Sequence, residues 1–145
     1  MGGIIKSNHD PRMKVISCTA DVTVNNSAVL VPVPTLNWTM EPGTKYAFSY
    51  FIWGTCNPAA DWKINITGDA TALGSFLLNC YQNRGLAAIA ADANCNANGG
   101  NDIIEIAGVI TTADGGTVVL SFAQLSAHAS NCTIYANSKV IAWKL

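Results

Sequence analysis

The amino-acid sequence predicts an all-β protein, an antiparallel β-sandwich or jelly roll with an extended N-terminal arm, and three observations carry that prediction. Short runs of period two recur along the chain, each bounded by Gly, Pro, Asn or Asp. No convincing amphipathic helix interrupts them, so neither an α/β alternation nor a helical layer is expected. At 145 residues with 50% hydrophobic side chains, the chain is long enough to close one core without a metal or disulfide staple. Residues 1–19 are assigned to the arm and first strand, and residues 20–145 to the sandwich domain.

Met13 to Thr19 reads as the first strand and Ala20 to Asn25 as its continuation or return, with Val22 and Val24 alternating against Asp21 and Thr23. Asn25, Asn26 and Ser27 then turn the chain. Ala28 to Val33 is β-branched but contains Pro32 and runs into Pro34, which confines it to a sheet edge. Thr35 to Met40 follows with Leu36 and Trp38 on one face, and Glu41-Pro42-Gly43 is a turn in which proline presets φ and glycine accepts positive φ.

The strand from Thr44 to Trp53 is largely apolar on both faces, Tyr46, Phe48, Tyr50 and Ile52 on one and Ala47, Ser49, Phe51 and Trp53 on the other. A strand with one solvated face alternates apolar with polar, so this one needs cover on both sides. A neighbouring subunit is the expected second cover. Asp61 to Thr67 alternates cleanly, with Trp62, Ile64 and Ile66 inward. Ser75 to Tyr81 and Gly85 to Ala91 are placed as strands, the second despite the helix propensity of Leu86-Ala87-Ala88, because nothing else alternates with helices. Asp92 to Asp102 is almost all Asn, Ala, Gly and Asp and reads as an exposed loop. Ile103 to Thr112 and Thr117 to Leu125 flank the hairpin signal Asp114-Gly115-Gly116, and Cys132 to Ala136 and Lys139 to Leu145 complete the set.

Charged residues make up only 12% of the chain, about half the usual share, so the surface must be built from Asn, Ser, Thr and Gly. A soluble monomer keeps itself apart with mixed charges, and their scarcity points to self-association. A net charge of −1 excludes the clustered cationic surface that nucleic acid requires. No apolar run approaches the roughly 18 residues of a membrane span, and the start Met-Gly-Gly-Ile-Ile-Lys lacks a secretory h-region, so neither a membrane partner nor export is expected. Lys6 stands where a myristoylation motif requires Ser or Thr.

No catalytic residue, metal or cofactor is predicted. His9 and His128 lack a nucleophile motif, and Asp61, Asp69, Glu105 and Asp114 lie where solvated carboxylates belong. The cysteines Cys18, Cys56, Cys80, Cys95 and Cys132 form no Cys-x-x-Cys pair and have no nearby histidine, which excludes the usual zinc patterns. Most are expected reduced and packed, while Cys56 and Cys95 fall in loop-like stretches and are candidates to pair in an oxidising exterior. Asp92-Ala93-Asn94-Cys95-Asn96 copies the alternate-oxygen spacing of a calcium loop, but Ala97 replaces the turn glycine and Ile103 stands where a bidentate Glu is needed. Gly99-Gly100 has no following Lys or helix to make a phosphate loop. Trp38, Trp53, Trp62 and Trp143 lie within strands, which favours core or interface packing over sugar stacking.

Ser27 to Val31, Leu36 to Met40, the run Gly43-Thr44-Lys45-Tyr46-Ala47-Phe48-Ser49-Tyr50-Phe51 and Ala60-Asp61-Trp62-Lys63-Ile64 with Thr67-Gly68 together resemble a jelly-roll domain of tailed-phage virion proteins. Ile103 to Ile110, the Gly115-Gly116-Thr117 hairpin leading into Val119 to Gln124, and Ala136 to Ala142 are similar to the end of that domain. The resemblance covers roughly Val22 to Leu145 and rests on strand patterns; it departs from the family at Asp69, where Gly68 is often followed by proline. It implies a TNF-like homotrimer in which aromatic strands pack about a three-fold axis, with Tyr46, Phe48, Tyr50, Phe51, Trp53 and Trp143 as interface residues. The function expected with it is that of a capsid decoration or cement protein, made in the host cytoplasm and seated on the capsid exterior. Its partner would be the major capsid protein, held by an arm that offers Ile4, Ile5, Lys6, Arg12 and Lys14. The short arm argues for this against the alternative, a receptor- or glycan-binding head on a virion fibre, which normally follows a long stalk; a small hydrolase is a third reading.

Overall fold

In the computed structural model, which describes residues 12–145, the chain folds as two antiparallel sheets packed face to face. The larger sheet runs, in spatial order, β1 (Met13–Ser17), β13 (Lys139–Lys144), β5 (Thr44–Thr55), β10 (Asn101–Thr112), β7 (Leu73–Cys80) and β8 (Asn83–Ala88). At one end β12 (Asn131–Ile134) pairs both with β5 and with β2 (Val22–Asn25). The smaller sheet runs β3 (Val31–Pro32), β11 (Gly116–Gln124), β6 (Trp62–Thr67) and β9 (Ala93–Cys95), with β4 (Trp38–Met40) also on β11. The all-β sandwich expected from the period-two runs is what the chain forms.

The core lies between the sheets and is built from alternate residues of each strand, because successive side chains on a strand leave opposite faces. Tyr46, Phe48, Tyr50 and Ile52 of β5, Ile104, Ile106 and Ile110 of β10 and Phe76 and Leu78 of β7 supply one wall; Trp38, Trp62, Ile64, Ile66, Leu120 and Phe122 supply the other. Both buried indole N–H groups find acceptors, as a dry interior demands: Trp38 Nε1 donates to the Tyr50 hydroxyl at 3.0 Å and Trp62 Nε1 to Asp102 Oδ2 at 2.9 Å. Gly108 fills its place in β10 because a Cβ there would stand 2.6 Å from the Phe48 ring and 2.5 Å from the Ser75 carbonyl oxygen.

Three segments depart from the sequence expectation. Ala28 to Val33 contributes only Val31–Pro32 to a sheet, and Pro34–Leu36 forms a short 3-10 turn before β4, because the prolines lack the N–H a ladder needs. Asp92 to Asp102 is exposed along most of its length but is not all loop: it contains β9 and the start of β10, and Cys95, Ala97 and Asp102 are buried. Two residues from elsewhere in the chain and one within the segment order it. Asp61 Oδ1 accepts the Ala97 N–H at 2.8 Å, Asp102 Oδ1 accepts the Asn98 N–H at 3.1 Å, and Asn83 Nδ2 donates to the Asn94 carbonyl at 3.0 Å.

The third departure is covalent. Cys95 is joined to Cys80 rather than to Cys56, tying the end of β7 in the larger sheet to β9 in the smaller. Cys18, Cys56 and Cys132 are free and buried. Cys132 shares a hydrogen bond with the Cys56 thiol, and that bond together with burial pushes its own thiol well above the ordinary range.

Candidate functional site

The outward faces of the two sheets differ in chemistry. On the smaller sheet the face away from the core is mixed: Thr117 and Ser121 of β11 and Lys63 and Thr67 of β6 reach solvent wholly or in part, while Asn65 and Ala123 beside them are buried. On the larger sheet the register sets Val15, Ile141, Ser49, Ala107, Leu77 and Leu86 side by side in one row across six strands. The next row toward one end is Met13, Trp143, Ala47, Val109, Ser75 and Ala88. Toward the other end Lys139, Phe51, Glu105, Asn79 and Arg84 carry the few charges, and Trp53 and Ile103 lie beyond them. Phe51, Trp53 and Trp143 are 46%, 45% and 37% exposed, and Leu86 is 76% exposed.

Six strands about 4.8 Å apart and four rows of same-face residues about 7 Å apart make this face roughly 24 by 20 Å, or about 480 Å², including the row that carries Lys139, Glu105 and Arg84. That lies within the ~300–600 Å² of the largest patch on a typical monomer and below the ~800 Å² each partner contributes to a standard interface, so the chemistry of the face rather than its extent sets it apart.

The six residues expected at a subunit interface divide between two places. Phe51, Trp53 and Trp143 stand on the outer face, whereas Tyr46, Phe48 and Tyr50 are buried between the sheets of a single chain, with no surface left for a second one. Trp38 packs on Tyr46 and Phe48 at centroid distances of 5.4 and 6.1 Å, which accounts for those rings within the protomer. Of the expected docking arm, Ile4, Ile5 and Lys6 lie outside the described residues, as does His9. Lys14 is engaged in the fold, its Nζ donating to the Thr39 carbonyl at 2.5 Å and lying 5.8 Å from the Tyr46 ring centroid. The Arg12 carbonyl accepts the Lys144 N–H at 2.9 Å, extending the β1–β13 ladder.

The polar residues singled out from the sequence hold turns. Asp69 accepts from Thr112 Oγ1 and Thr71 Oγ1, both at 2.6 Å, and these bonds hold its carboxyl below the usual range. His128 Nδ1 accepts from the Ser130 backbone N–H at 3.1 Å and sits 2.7 Å from Ser130 Oγ, closing a local turn. Asp92 accepts from Asn65 Nδ2 at 2.7 Å, and the extended conformation of Ala93–Cys95 strings Asp92, Asn94 and Asn96 about 7 Å apart along one face instead of gathering them around one centre. Among the described residues no group of three or more His, Cys, Asp or Glu side chains is placed to hold a metal.

At the Trp53 end of the apolar face lies a cleft of about 330 Å³ lined by Asp21, Trp53, Asn101, Tyr135, Ala136 and Asn137. Trp53 and Tyr135 meet edge to face, centroids 5.0 Å apart at 62°. The sequence did not single out Tyr135, Asn101 or Asn137, because a cleft assembled from β5, β10 and a turn after β12 leaves no local motif.

No protein-family model matches the chain, and no curated protein matches it in sequence. Among solved structures the chain is similar to the tripod from the baseplate of bacteriophage Tuc2009, with 10% sequence identity and a TM-score of 0.39 over 99% of this chain and 69% of that one. A likeness at that level identifies neither a family nor a function.

Proposed function

We propose that the chain is a self-associating structural protein of a tailed-phage virion, a homotrimeric decoration or cement protein that seats on the capsid exterior, contacts the major capsid protein and stabilises the head. The observation that carries self-association is the apolar outer face of the larger sheet, with Phe51 and Trp143 as its aromatic anchors. A second copy of the chain is the cover assigned to it, because two of its rows, those of Ser49 and Ala47, hold no charged side chain. The phage setting and the three-fold arrangement rest on the sequence resemblance described above.

Light scattering of the purified protein tests the association. The wild type should show three times the 15.3 kDa of one chain, and Ala107→Lys, at an exposed position in the middle of the face, should reduce it to the monomer without changing the near-ultraviolet circular dichroism. A monomeric wild type at micromolar concentration would sink the reading. The capsid role is tested by adding the protein to heads that lack it and measuring resistance to heat. Deleting residues 1–11, which leaves β1 intact, should abolish capsid binding while preserving the trimer.

A further inference from the structure

We infer that the cleft between Trp53, Tyr135 and Asp21 is a carbohydrate site that takes a neutral hexopyranose. A pyranose presents an apolar C–H face and a rim of hydroxyls, so its site needs an exposed aromatic surface with donors and acceptors beside it. Trp53, half exposed against Tyr135, provides the aromatic corner. Asn101 and Asn137 line the same cleft, and their side-chain amides make no hydrogen bond to other described residues. Asp21 spends one carboxylate oxygen on the Ala136 N–H at 2.8 Å and keeps the other. Two amides and a carboxylate oxygen suit paired hydroxyls, which both donate and accept. The carboxylate, with no cation among the lining residues, disfavours uronic and sialic acids and so sets the neutral class.

The backbone of the walls is fixed before any ligand arrives. The Tyr135 N–H donates to the Trp53 carbonyl at 2.8 Å, the Trp53 N–H to Ser138 Oγ at 3.0 Å, and the Asn137 N–H to the Cys18 carbonyl at 2.8 Å, with Asn137 held at φ 71°. Such preorganisation removes ordering costs that otherwise consume the affinity of small ligands. A volume near 330 Å³ lies at the small end of ligand sites, fitting one ring and its first linkage rather than a long chain.

Saturation-transfer and ¹⁵N–¹H correlation spectra on the full chain, with the methyl glycosides of glucose, galactose, mannose and N-acetylglucosamine as probes, test the site. At least one should bind with a Kd of about a millimolar, shifting the Trp53 indole and the Ala136 and Asn137 amides, while methyl glucuronide should not. Trp53→Ala should weaken binding about tenfold or more, and Asn101→Ala, at an exposed strand position, decides the matter if that variant does not fold. Transfer to none of the four sugars, or binding indifferent to both substitutions, would overturn the proposal. Binding by the Ala107→Lys monomer but not by the wild type would also overturn it, since the cleft would then be buried by self-association. A monomeric wild type that binds sugar would instead remove the trimer and leave this site standing.

Discussion

Inside the core the Tyr50 hydroxyl accepts the Trp38 indole N–H, so each residue's polar atom depends on the other. Tyr50→Phe removes the acceptor and leaves a buried donor unpaired, which should cost about 1–3 kcal/mol in urea unfolding. Burial also raises the Tyr50 hydroxyl above its ordinary pKa, and the bond to Cys56 together with burial raises the Cys132 thiol. A folded state that keeps protons the unfolded chain releases loses stability as pH rises. The loss should begin near the unfolded thiol value of 9.0 and steepen past the tyrosine value of 10.0, by up to about 1.4 kcal/mol per pH unit for each group. Unfolding measured from pH 8 to 11 checks this; Tyr50→Phe should remove the later part of the fall and Cys132→Ala the earlier. That Tyr46, Phe48, Tyr50 and Ile52 share a face was legible from their spacing. Which of the two β5 faces turned inward was not, because both carry aromatics and only the opposing sheet decides between them.

At the scale of the strand, β5 and β10 were readable over most of their length, Thr44 to Trp53 and Ile103 to Thr112, since each is a long run of β-branched and aromatic residues, while Gly54, Thr55, Asn101 and Asp102 were missed. β9 was not readable. Its Ala, Asn and Cys have no strand preference of their own, and it is held by β6, by Asp61 and Asp102, and by the disulfide to Cys80. A bond closing a 15-residue separation should contribute about 3 kcal/mol. Reduction, or Cys80→Ala with Cys95→Ala, should therefore lower the urea midpoint accordingly while leaving the far-ultraviolet spectrum of the other strands in place. Gly108 is the second dependency between strands. It lies opposite Phe48 on one side and Phe76 on the other, and Gly108→Ala should destabilise the fold by roughly 1–3 kcal/mol as both neighbours give way.

For the whole molecule, the sandwich followed from the period-two runs, the proposed external cover followed from the low charge and the doubly apolar β5, and the structure presents an uncharged stretch of sheet where that proposed cover would sit. The structure also widens the face beyond the predicted aromatics, because Val15, Ile141, Ala107, Leu77 and Leu86 join it only once six strands are in register. The cleft at Trp53 shares that dependence on assembly. If the face is covered by other copies of the chain, folding and association are linked, and the melting temperature of the wild type should rise with protein concentration while that of Ala107→Lys should not. Scanning calorimetry over a hundredfold dilution reads this directly.

The position of β13 has a consequence for how the protein is made. This strand fills the slot between β1 and β5, so two elements drawn from residues 13–55 meet only through residues 139–144. A ribosome adding about 5–20 residues per second leaves β5 without that neighbour for several seconds. During that interval the strand with aromatics on both sides has an open edge beside other nascent chains on the same message. Expression should therefore be limited by encounters on the polysome more than by the stability of the finished fold, and weaker initiation, which spaces ribosomes further apart on the message, should raise the soluble yield.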